Sequence, residues 1–484
     1  MKINNQINEV EKYIKNKYGS SSDIITRRIK INDNEILYIY LESVSSDDKI
    51  SGFLMKDLSK YVNNQKEIKT PLINLLKNSI LNSHLSIIDT YEQVFYNLSS
   101  GYTIIFINGE KNAIAIETKS ILDRSISEPS MESTIRGPRD CFTENNATNI
   151  GLIRKRIKDP NLWFKETKIG KRTKTKINIV YIKNIANIKK VKFIENKLKK
   201  INIDGIIDSG YIREFLTQNS LSAFPEFRST ERPDVATAEL LEGKILIMVE
   251  NTPQVLITPG LFIDFFHTSE DYYQKPINIT FTRILRIIGF FITLCTPGLY
   301  VALTTFNQTI IPYELLISLS IQRNGVPFPT SLSIFIMMIV FEILREADIR
   351  LPNAMGASIS IVGALVLGDA AVSAGIVSPI VIIIVAITSI GSLIFNDIDF
   401  VNAIRLWRLI FLIFSTVLGI PGFVIAGIIF TINLCSMESN GIPYLTPISP
   451  FYPKAQTDVI TRFSKKKMKY RPVYLTKNKK RIED

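Results

Sequence analysis

The spacing of apolar and polar residues splits the chain. From Arg283 to Cys435 apolar residues dominate; the part before alternates short apolar runs with polar stretches, and the part after is basic. Ala354–Phe395 holds a single formal charge, Asp369, and is long enough for two crossings of a roughly 30 Å hydrocarbon core. The pattern predicts an α/β cytosolic N-terminal region of two small subdomains, followed by a polytopic α-helical membrane domain. The expected boundaries are 1–125 and 126–275 for the subdomains, 276–440 for the membrane domain, and 441–484 for a basic cytosolic tail.

Within the first region, Glu35–Leu41 reads as a strand after a polar start. Leu72, Leu75, Leu76, Ile80 and Ile87 recur at helical spacing inside Pro71–Leu98, and Gly101 ends the run. Tyr102–Ile107 and Ala113–Thr118 are β-branched runs flanking Asn108-Gly109. That pair accepts positive φ at both central turn positions, which predicts a hairpin. Ser125–Cys141 has no period and concentrates Pro, Gly and charge, so it is either a functional loop or a linker between subdomains. The second subdomain is predicted as a helix over Glu144–Ile157, a strand over Thr175–Ile182, a charged helix over Ala186–Lys200 and a helix near Tyr211–Asn219. A strand pair, Lys244–Val249 and Val255–Thr258, closes it.

In the apolar block, Ile284–Phe306 has the length of a spanning helix, with a break at Pro297-Gly298 that neighbouring groups can compensate. Thr309–Gln322 is too short to cross upright. Ser331–Leu344 runs into the charged Arg345–Arg350, which should leave the hydrocarbon. Ala354–Gly375 and Ile376–Phe395 read as a tight helical hairpin. Ala403–Cys435 would be about 50 Å long as one helix, more than one perpendicular crossing, so Gly419-Ile420-Pro421-Gly422 is expected to break it. With both termini in the cytosol, the number of crossings must be even. Either Thr309–Gln322 crosses at a tilt or the last run turns back near Gly419; the turn is slightly favoured.

Charge and cysteine content narrow the setting. The formal net charge of +13 suggests nucleic acid at first sight, but much of the excess lies in Arg462–Arg481, directly after the apolar block. Basic residues there mark a cytoplasmic flank and attract anionic membrane lipid. Lys189–Lys200 and Lys465–Lys469 lack regularly spaced aromatics, so no nucleic-acid partner is expected. Three cysteines, Cys141, Cys295 and Cys435, lie far apart, which argues against a disulfide framework. Met1–Gly19 is polar and has no apolar signal core, which keeps the α/β region in the cytosol.

Catalytic chemistry is not expected. The two histidines, His84 and His267, have no Cys or acid at metal-site spacing. Gly170-Lys171 lacks the first Gly of a phosphate-binding loop, and no nucleophile elbow is present. The chain is expected to be no enzyme, with no cofactor and no metal.

Other residues invite a role in binding or transport. Gly356–Gly375 is a run of small residues, including Gly363 and Gly368, that lets helices approach closely; it serves either a homo-oligomer contact or packing within one subunit. A carboxylate at membrane depth faces a partner, a cavity or water, so Asp369 is a pore or gating candidate unless it sits at a hairpin tip outside the core. Arg136 and Arg139 flank a Gly-Pro turn and can grip carboxylates of a neighbouring subunit in bidentate fashion. The local alternative is a salt bridge to Asp140, Glu144 or Glu231. Glu231 and Arg232 belong to Thr230-Glu231-Arg232-Pro233-Asp234, which reads first as a helix start, with Thr230 or Asp234 as cap and Pro233 in the first turn. Asp271, in Glu270-Asp271-Tyr272-Tyr273, can pair with Arg283 or Arg286 at the entry to the first span and couple the α/β region to the membrane.

Several strings of residues carry a family resemblance. Glu128-Pro129, Arg136–Asp140 with Phe142, Asn149, Leu152-Ile153-Arg154 and Arg156 resemble the signature of the spore germination GerA family, A subunit. Ser209–Ile212, Phe224-Pro225, Thr230–Asp234, Leu240–Gly243, Glu270–Tyr273, Pro297–Ala302, Val326–Pro329, Phe341–Leu351, Ser360–Leu365, Ala370–Pro379 and Gly441–Tyr444 extend it in order over roughly Gly101–Pro472.

The resemblance implies a subunit of a nutrient germinant receptor in the inner membrane of a bacterial spore. Its expected partners are a transporter-like membrane subunit that senses the nutrient and a lipoprotein subunit. The resemblance further implies an oligomeric cation channel that opens on nutrient binding. The chain departs from the family pattern at Ser333 and near Met338, where Glu is common, and at Phe306–Thr309, where a His-rich, Glu-containing segment is common. Ser333 is kept as a pore candidate, but the weight shifts to Asp369. The departures also leave room for a stage V sporulation AF-like paralogue. Outside the resemblance, a secondary transporter and a non-conducting scaffold of the receptor are the competing readings.

Overall fold

The computed structural model describes all residues except 20, 32–33, 52–84, 121–131, 133, 220–221, 351–365, 477, 479 and 482–484. The N-terminal region forms two subdomains, each built on a five-stranded antiparallel sheet. The first contains α1 (Ile7–Lys17), β1 (Ile24–Ile31), β2 (Asn34–Leu41), β3 (Leu85–Ile88), α2 (Tyr91–Ser99), β4 (Tyr102–Ile107) and β5 (Ala113–Glu117), with strand order β1-β2-β4-β5-β3. Side-chain alternation explains its layering. Leu37, Ile39, Ile104 and Phe106 pack with α1 and α2 on one face, while Ile36, Tyr38, Ile105 and Ile107 are buried on the other. Because both faces are covered, the inner strands β2, β4 and β5 read as largely apolar runs, whereas the edge strand β1 carries Arg27, Arg28 and Lys30.

The second subdomain contains α3 (Asn146–Arg156), β6 (Leu162–Ile169), β7 (Thr175–Ile182), α4 (Ile188–Lys199), α5 (Ser209–Leu216), β8 (Arg228–Thr230), α6 (Pro233–Glu242), β9 (Ile245–Val249) and β10 (Val255–Thr258). Its strand order, β6-β7-β9-β10-β8, repeats that of the first sheet. Phe164, Val180, Leu246 and Ile257 pack against α3 and α6, while Ile179, Ile247 and Leu256 meet α4 and α5 on the opposite face. The subdomains are locked together by Arg154, whose Nε and Nη2 donate to Asp23 at 2.8 and 2.9 Å with both side chains buried. Ser22 N donates to the Phe164 carbonyl, and Trp163 Nε1 donates to the Lys17 carbonyl.

The helical region comprises α7 (Pro276–Val301), α8 (Tyr313–Arg323), α9 (Thr330–Arg350), helical residues 366–373, α10 (Pro379–Ser392), α11 (Ile398–Leu418) and α12 (Ile420–Ser436). Among the described residues, two helices are long and apolar enough to cross a membrane: Pro276–Phe306, which is α7 with a wide helical turn over Ala302–Phe306, and α11. α10 and α12 are apolar but shorter. An aromatic core of Phe290, Phe400, Trp407, Phe411 and Phe430 holds α7, α11 and α12 together.

Several expectations change in the structure. Leu85–Ile88 is not helical; it pairs with β5 as an edge strand, and the helix begins only at Tyr91, capped by Thr90. The part of the Pro71–Leu98 run over 71–84 lies outside the described residues. At Asn108-Gly109 only Gly109 has positive φ, and the connection extends to Ala113. β1, β6 and β8 had no counterpart in the sequence reading; β6 carries Lys165, Glu166 and Lys168 toward solvent, which dilutes its apolar signal. Pro297-Gly298 does not break α7. Pro297 is buried inside a continuous helix, and Gly298 admits the backbone of Phe411, which would lie 3.0 Å from a Cβ there.

The turn at Gly419 is present. Its φ of +65° ends α11, and α12 runs back along it, bringing Trp407 and Phe430 ring centroids to 5.1 Å. The segment after Ser436 is not a loose tail. Tyr444, Val459, Arg462, Met468 and Leu475 are buried, Arg471 Nε donates to the Leu241 carbonyl, and Arg481 pairs with Glu242 at 2.7 Å. It folds over the second subdomain and the start of α7.

Candidate functional site

The junction between the second subdomain and the first long apolar helix gathers a compact set of buried charges. It begins at a short 3-10 turn, Ser269–Tyr272, with Thr268 as its cap: Thr268 Oγ1 donates to Asp271 Oδ1 at 3.0 Å. This bond turns the Asp271 carboxylate inward toward α7. Arg283 and Arg286 lie three residues apart on one face of that helix. Arg283 Nε donates to Asp271 Oδ2, and Arg286 Nη1 to both carboxylate oxygens, each at 2.9 Å. Asp271 is 0% exposed and Arg283 1%.

A third strand of chain closes the clamp. Asp458 accepts from Arg283 Nη1 at 2.9 Å and from the Tyr272 hydroxyl at 2.9 Å, and burial raises its pKa even against Arg283. The Val459 carbonyl lies 2.9 Å from His267 Nε2. A carbonyl can only accept, so that nitrogen carries the proton. Burial, with Arg283 close by, holds His267 well below its usual range and therefore neutral. Two guanidiniums facing two carboxylates nearly balance the buried charge, which a lone ion at this depth could not do.

Beside the clamp lies a cavity of about 210 Å³ lined by Glu132, Arg213, Arg228, Arg286, Asp397 and Asp399 among others. Arg213 of α5 is ion-paired with Asp399 of α11. Asp397 caps α11 by accepting from Phe400 N at 3.0 Å, and burial pushes its pKa up to about 6. Burial likewise raises Glu132, against the pull of Arg228. The second subdomain is thus attached to the helices by the Asp271 clamp, by Arg213–Asp399, and by Phe224, which packs against Phe262, Phe400 and Phe430. These contacts place the subdomain directly against both α7 and α11.

The residues singled out from sequence distribute as follows. Asp271 sits at the centre of the clamp, bonded to both arginines named for it. Arg232 is buried: it pairs with Asp234 at 2.8 Å, and donates to Thr134 Oγ1 and the Pro138 carbonyl at 2.8 Å. Glu231 is also buried, and its carbonyl accepts from Phe142 N at 2.7 Å. Arg232, and not Thr230 or Asp234, occupies the cap position of α6, with Pro233 following it.

Arg136 and Arg139 are exposed on the loop that Arg232 holds. Gly137, between them, has φ +124° and lies so close under the Tyr273 ring that a Cβ would come within 2.6 Å. Asp140 is paired with Arg156 at 2.7 Å. Ser333 is buried in α9, Gly368 faces Ile382, and Asp369 is exposed on helical residues 366–373. Gly363 lies outside the described residues.

The sequence reading passed over a second charge cluster. Glu342 of α9 meets Arg408 Nη2 at 3.2 Å and Arg405 Nε at 3.3 Å, both on α11. Arg408 is buried near the middle of a helix long enough to span a bilayer, a placement that normally marks function or a fixed helix contact. Two arginines three residues apart in an otherwise apolar run were the available signal. Among the described residues, no group of His, Cys, Asp and Glu is arranged to hold a metal.

A family model described as "Bacillus/Clostridium GerA spore germination protein" matches residues 12–474. Spore germination protein KA of Bacillus subtilis (strain 168) is 41% identical over 453 residues, covering 93% of this chain and 82% of that protein. Stage V sporulation protein AF of the same organism is 33% identical over 467 residues, 96% of this chain and 93% of its own length. Among solved structures, the crystal structure of the N-terminal domain of the A subunit of the Bacillus megaterium spore germinant receptor GerK3 is 32% identical. It covers 54% of this chain and 98% of that one, with a TM-score of 0.44.

Proposed function

This chain belongs to the GerA family of spore germination proteins as an A-subunit homologue, and on that premise we propose that it is the membrane subunit of a bacterial spore nutrient germinant receptor that forms or gates a cation path. It is membrane-associated and its role is non-enzymatic. In this reading the helical region crosses the inner membrane of the spore several times, the α/β subdomains face the cytosol, and several copies associate through their helices. A transporter-like subunit binds the nutrient and a lipoprotein subunit completes the complex. Nutrient binding shifts the population between two helix packings, which requires unequal affinity for the two states.

The observation that carries this reading is the Asp271 clamp. It ties the α/β region to the base of the longest apolar helix through buried charge pairs on both α7 and the C-terminal segment. Such a contact transmits movement in either direction, as a gate needs. Exposure of Asp369, with no neighbouring charge of its own in helical residues 366–373, supports it as the group that another copy or a hydrated path would meet.

The test is monovalent cation release from spores carrying Asp369→Asn, with complex assembly followed by crosslinking. Altered release rate or ion selectivity in assembled complexes is expected. Unchanged release with intact assembly would remove Asp369 from the path and favour a non-conducting scaffold.

A further inference from the structure

The C-terminal segment buries Tyr444 and Val459 in the aromatic core of the helices and Leu475 beside Leu261, and leaves other apolar residues exposed, among them two next to the start of α7. Residues 457–463 form a tight loop in which Phe463 N donates to the Thr457 carbonyl and Asp458 bridges to Arg462. The loop is fastened to the first turns of α7, because Arg462 N donates to Thr280 Oγ1 at 3.1 Å and Arg462 Nη1 to the Gln274 carbonyl at 2.7 Å. Val459 is buried in the core, while Ile460 and Phe463 are partly open to solvent, 42% and 44% exposed. Directly after it, Lys465, Lys466, Lys467 and Lys469 are exposed on a turn that buried Met468 anchors.

On α7, Ile277 and Phe281 are 77% and 65% exposed. Ile284, Leu285 and Ile288 continue the same face at helical spacing. An apolar stripe on a spanning helix therefore begins beside an exposed Ile–Phe pair and ends, toward the α/β side, in a cluster of lysines.

We infer that the Lys465–Lys469 turn, the 457–463 loop and the first turns of α7 form a seat for anionic phospholipid: lysines on the headgroup phosphate, Ile460 and Phe463 at the glycerol and upper acyl level. The inference rests on the reading of α7 as a membrane-crossing helix. Two features favour lipid over an acidic protein surface. The lysines are continuous with an apolar stripe rather than surrounded by polar residues. The nearby Asp458 carboxylate is already consumed by Arg283 and Tyr272, so it does not cancel the lysine charge. Exposed lysines next to exposed apolar residues at the end of a span suit the bilayer interface, where the cation reaches phosphate while its stem stays in an apolar layer.

The experiment uses the full chain reconstituted in nanodiscs of phosphatidylcholine alone or with added phosphatidylglycerol. Amine labelling of Lys465–Lys469 is read by mass spectrometry, and retention of phosphatidylglycerol is read in the purified particle. Protection of these lysines by phosphatidylglycerol, reversed by salt, is expected. Each of Lys465→Gln, Lys466→Gln and Lys467→Gln should weaken retention by about fivefold at low salt. Lys199→Gln, far along α4, should not change it.

A spin label at Phe291→Cys, quenched by labelled acyl chains, reports separately on whether α7 lies in the bilayer. Acyl contact without lysine protection overturns the lipid seat alone. Loss of acyl contact overturns the spanning helix and the seat together. Protection that appears only with a co-purified protein subunit and not with phosphatidylglycerol also overturns the lipid seat and assigns the surface to that subunit.

Discussion

Asp271 and Arg283 meet at 2.9 Å with almost no solvent on either side chain, and this contact joins a turn of the α/β region to the first long apolar helix. Removing one partner of a buried ion pair typically costs about 3–5 kcal/mol, because the other charge stays buried without compensation. In Asp271→Asn, Arg283 would keep Asp458 as its carboxylate, and Arg286 would keep the Phe266 carbonyl and the Thr268 hydroxyl. The thermal unfolding midpoint of the purified full chain should fall by several degrees, and protease should reach the Thr268–Lys275 segment sooner. An unchanged midpoint would show that the clamp is not a structural link.

Gly422 and Gly427 offer opposite outcomes on one helix. A Cβ on Gly422 would lie 2.0 Å from the Phe414 carbonyl oxygen, so α12 could not fold back against α11 without backbone movement. Gly422→Ala should destabilise by roughly 1–3 kcal/mol, the usual range for overpacking. Gly427 meets only the Phe411 ring, at 4.0 Å. Gly427→Ala should be neutral or stabilising by up to about 1 kcal/mol, since Ala loses less backbone entropy in a helix. Parallel unfolding curves of the two variants check both statements.

The Gly419 turn was legible in sequence because a run too long for one crossing contained Gly and Pro together. β9 and β10 were legible for another reason: covered on both faces, they are nearly continuous apolar runs, and β7 is apolar over most of its length. β6, at an outer edge, mixes charged residues among its apolar ones and gives no clear pattern, and β3, also at an edge, is short enough to be absorbed into the helical spacing of Pro71–Leu98. The shared strand order of the two subdomains left no trace, since it rests on connectivity and not on repeated residues. At the site, Asp271 could be paired with Arg283 and Arg286 because all three lie within a short stretch entering one helix. Asp458 could not, because 175 residues separate it from Arg283. Arg232 reads in sequence as part of a helix start and as a candidate subunit contact; in the structure its guanidinium is held by Asp234 and the 134–138 loop.

Asp397 gives the junction a pH dependence of defined sign. Burial, the largest cause, raises its pKa in the folded chain to about 6, above the unfolded value near 3.8. The folded state therefore holds this proton more tightly. Its contribution to stability is fully present below about pH 4 and is lost as pH rises through about 6. The gap between the two values is worth at most about 3 kcal/mol. Asp397→Asn keeps an N-cap acceptor for Phe400 N and removes the charge. Near neutral pH the variant should be more stable than the parent, with the difference closing as pH falls toward 4. Denaturation midpoints at stepped pH test this, and a difference that stays constant with pH would reject the assignment.

Among the described residues, Glu342 is the carboxylate that faces both Arg405 and Arg408, and Arg408 is buried in α11. Glu342→Gln leaves the buried Arg408 guanidinium with only a neutral acceptor; because Glu342 itself is 39% exposed, the cost should be roughly 1–3 kcal/mol, below that of a fully buried pair. Replacing both charges should recover much of this loss, because Met can fill the Arg408 volume without needing a counter-charge. The double variant Glu342→Gln with Arg408→Met is then expected to unfold nearer the parent than Glu342→Gln does, and the coupling follows from a double-mutant cycle. The cycle also separates two roles for the pair. If the double variant is stable and assembled but its spores no longer release cations on nutrient addition, the charges serve gating. If release returns with stability, the pair only fixes α9 against α11.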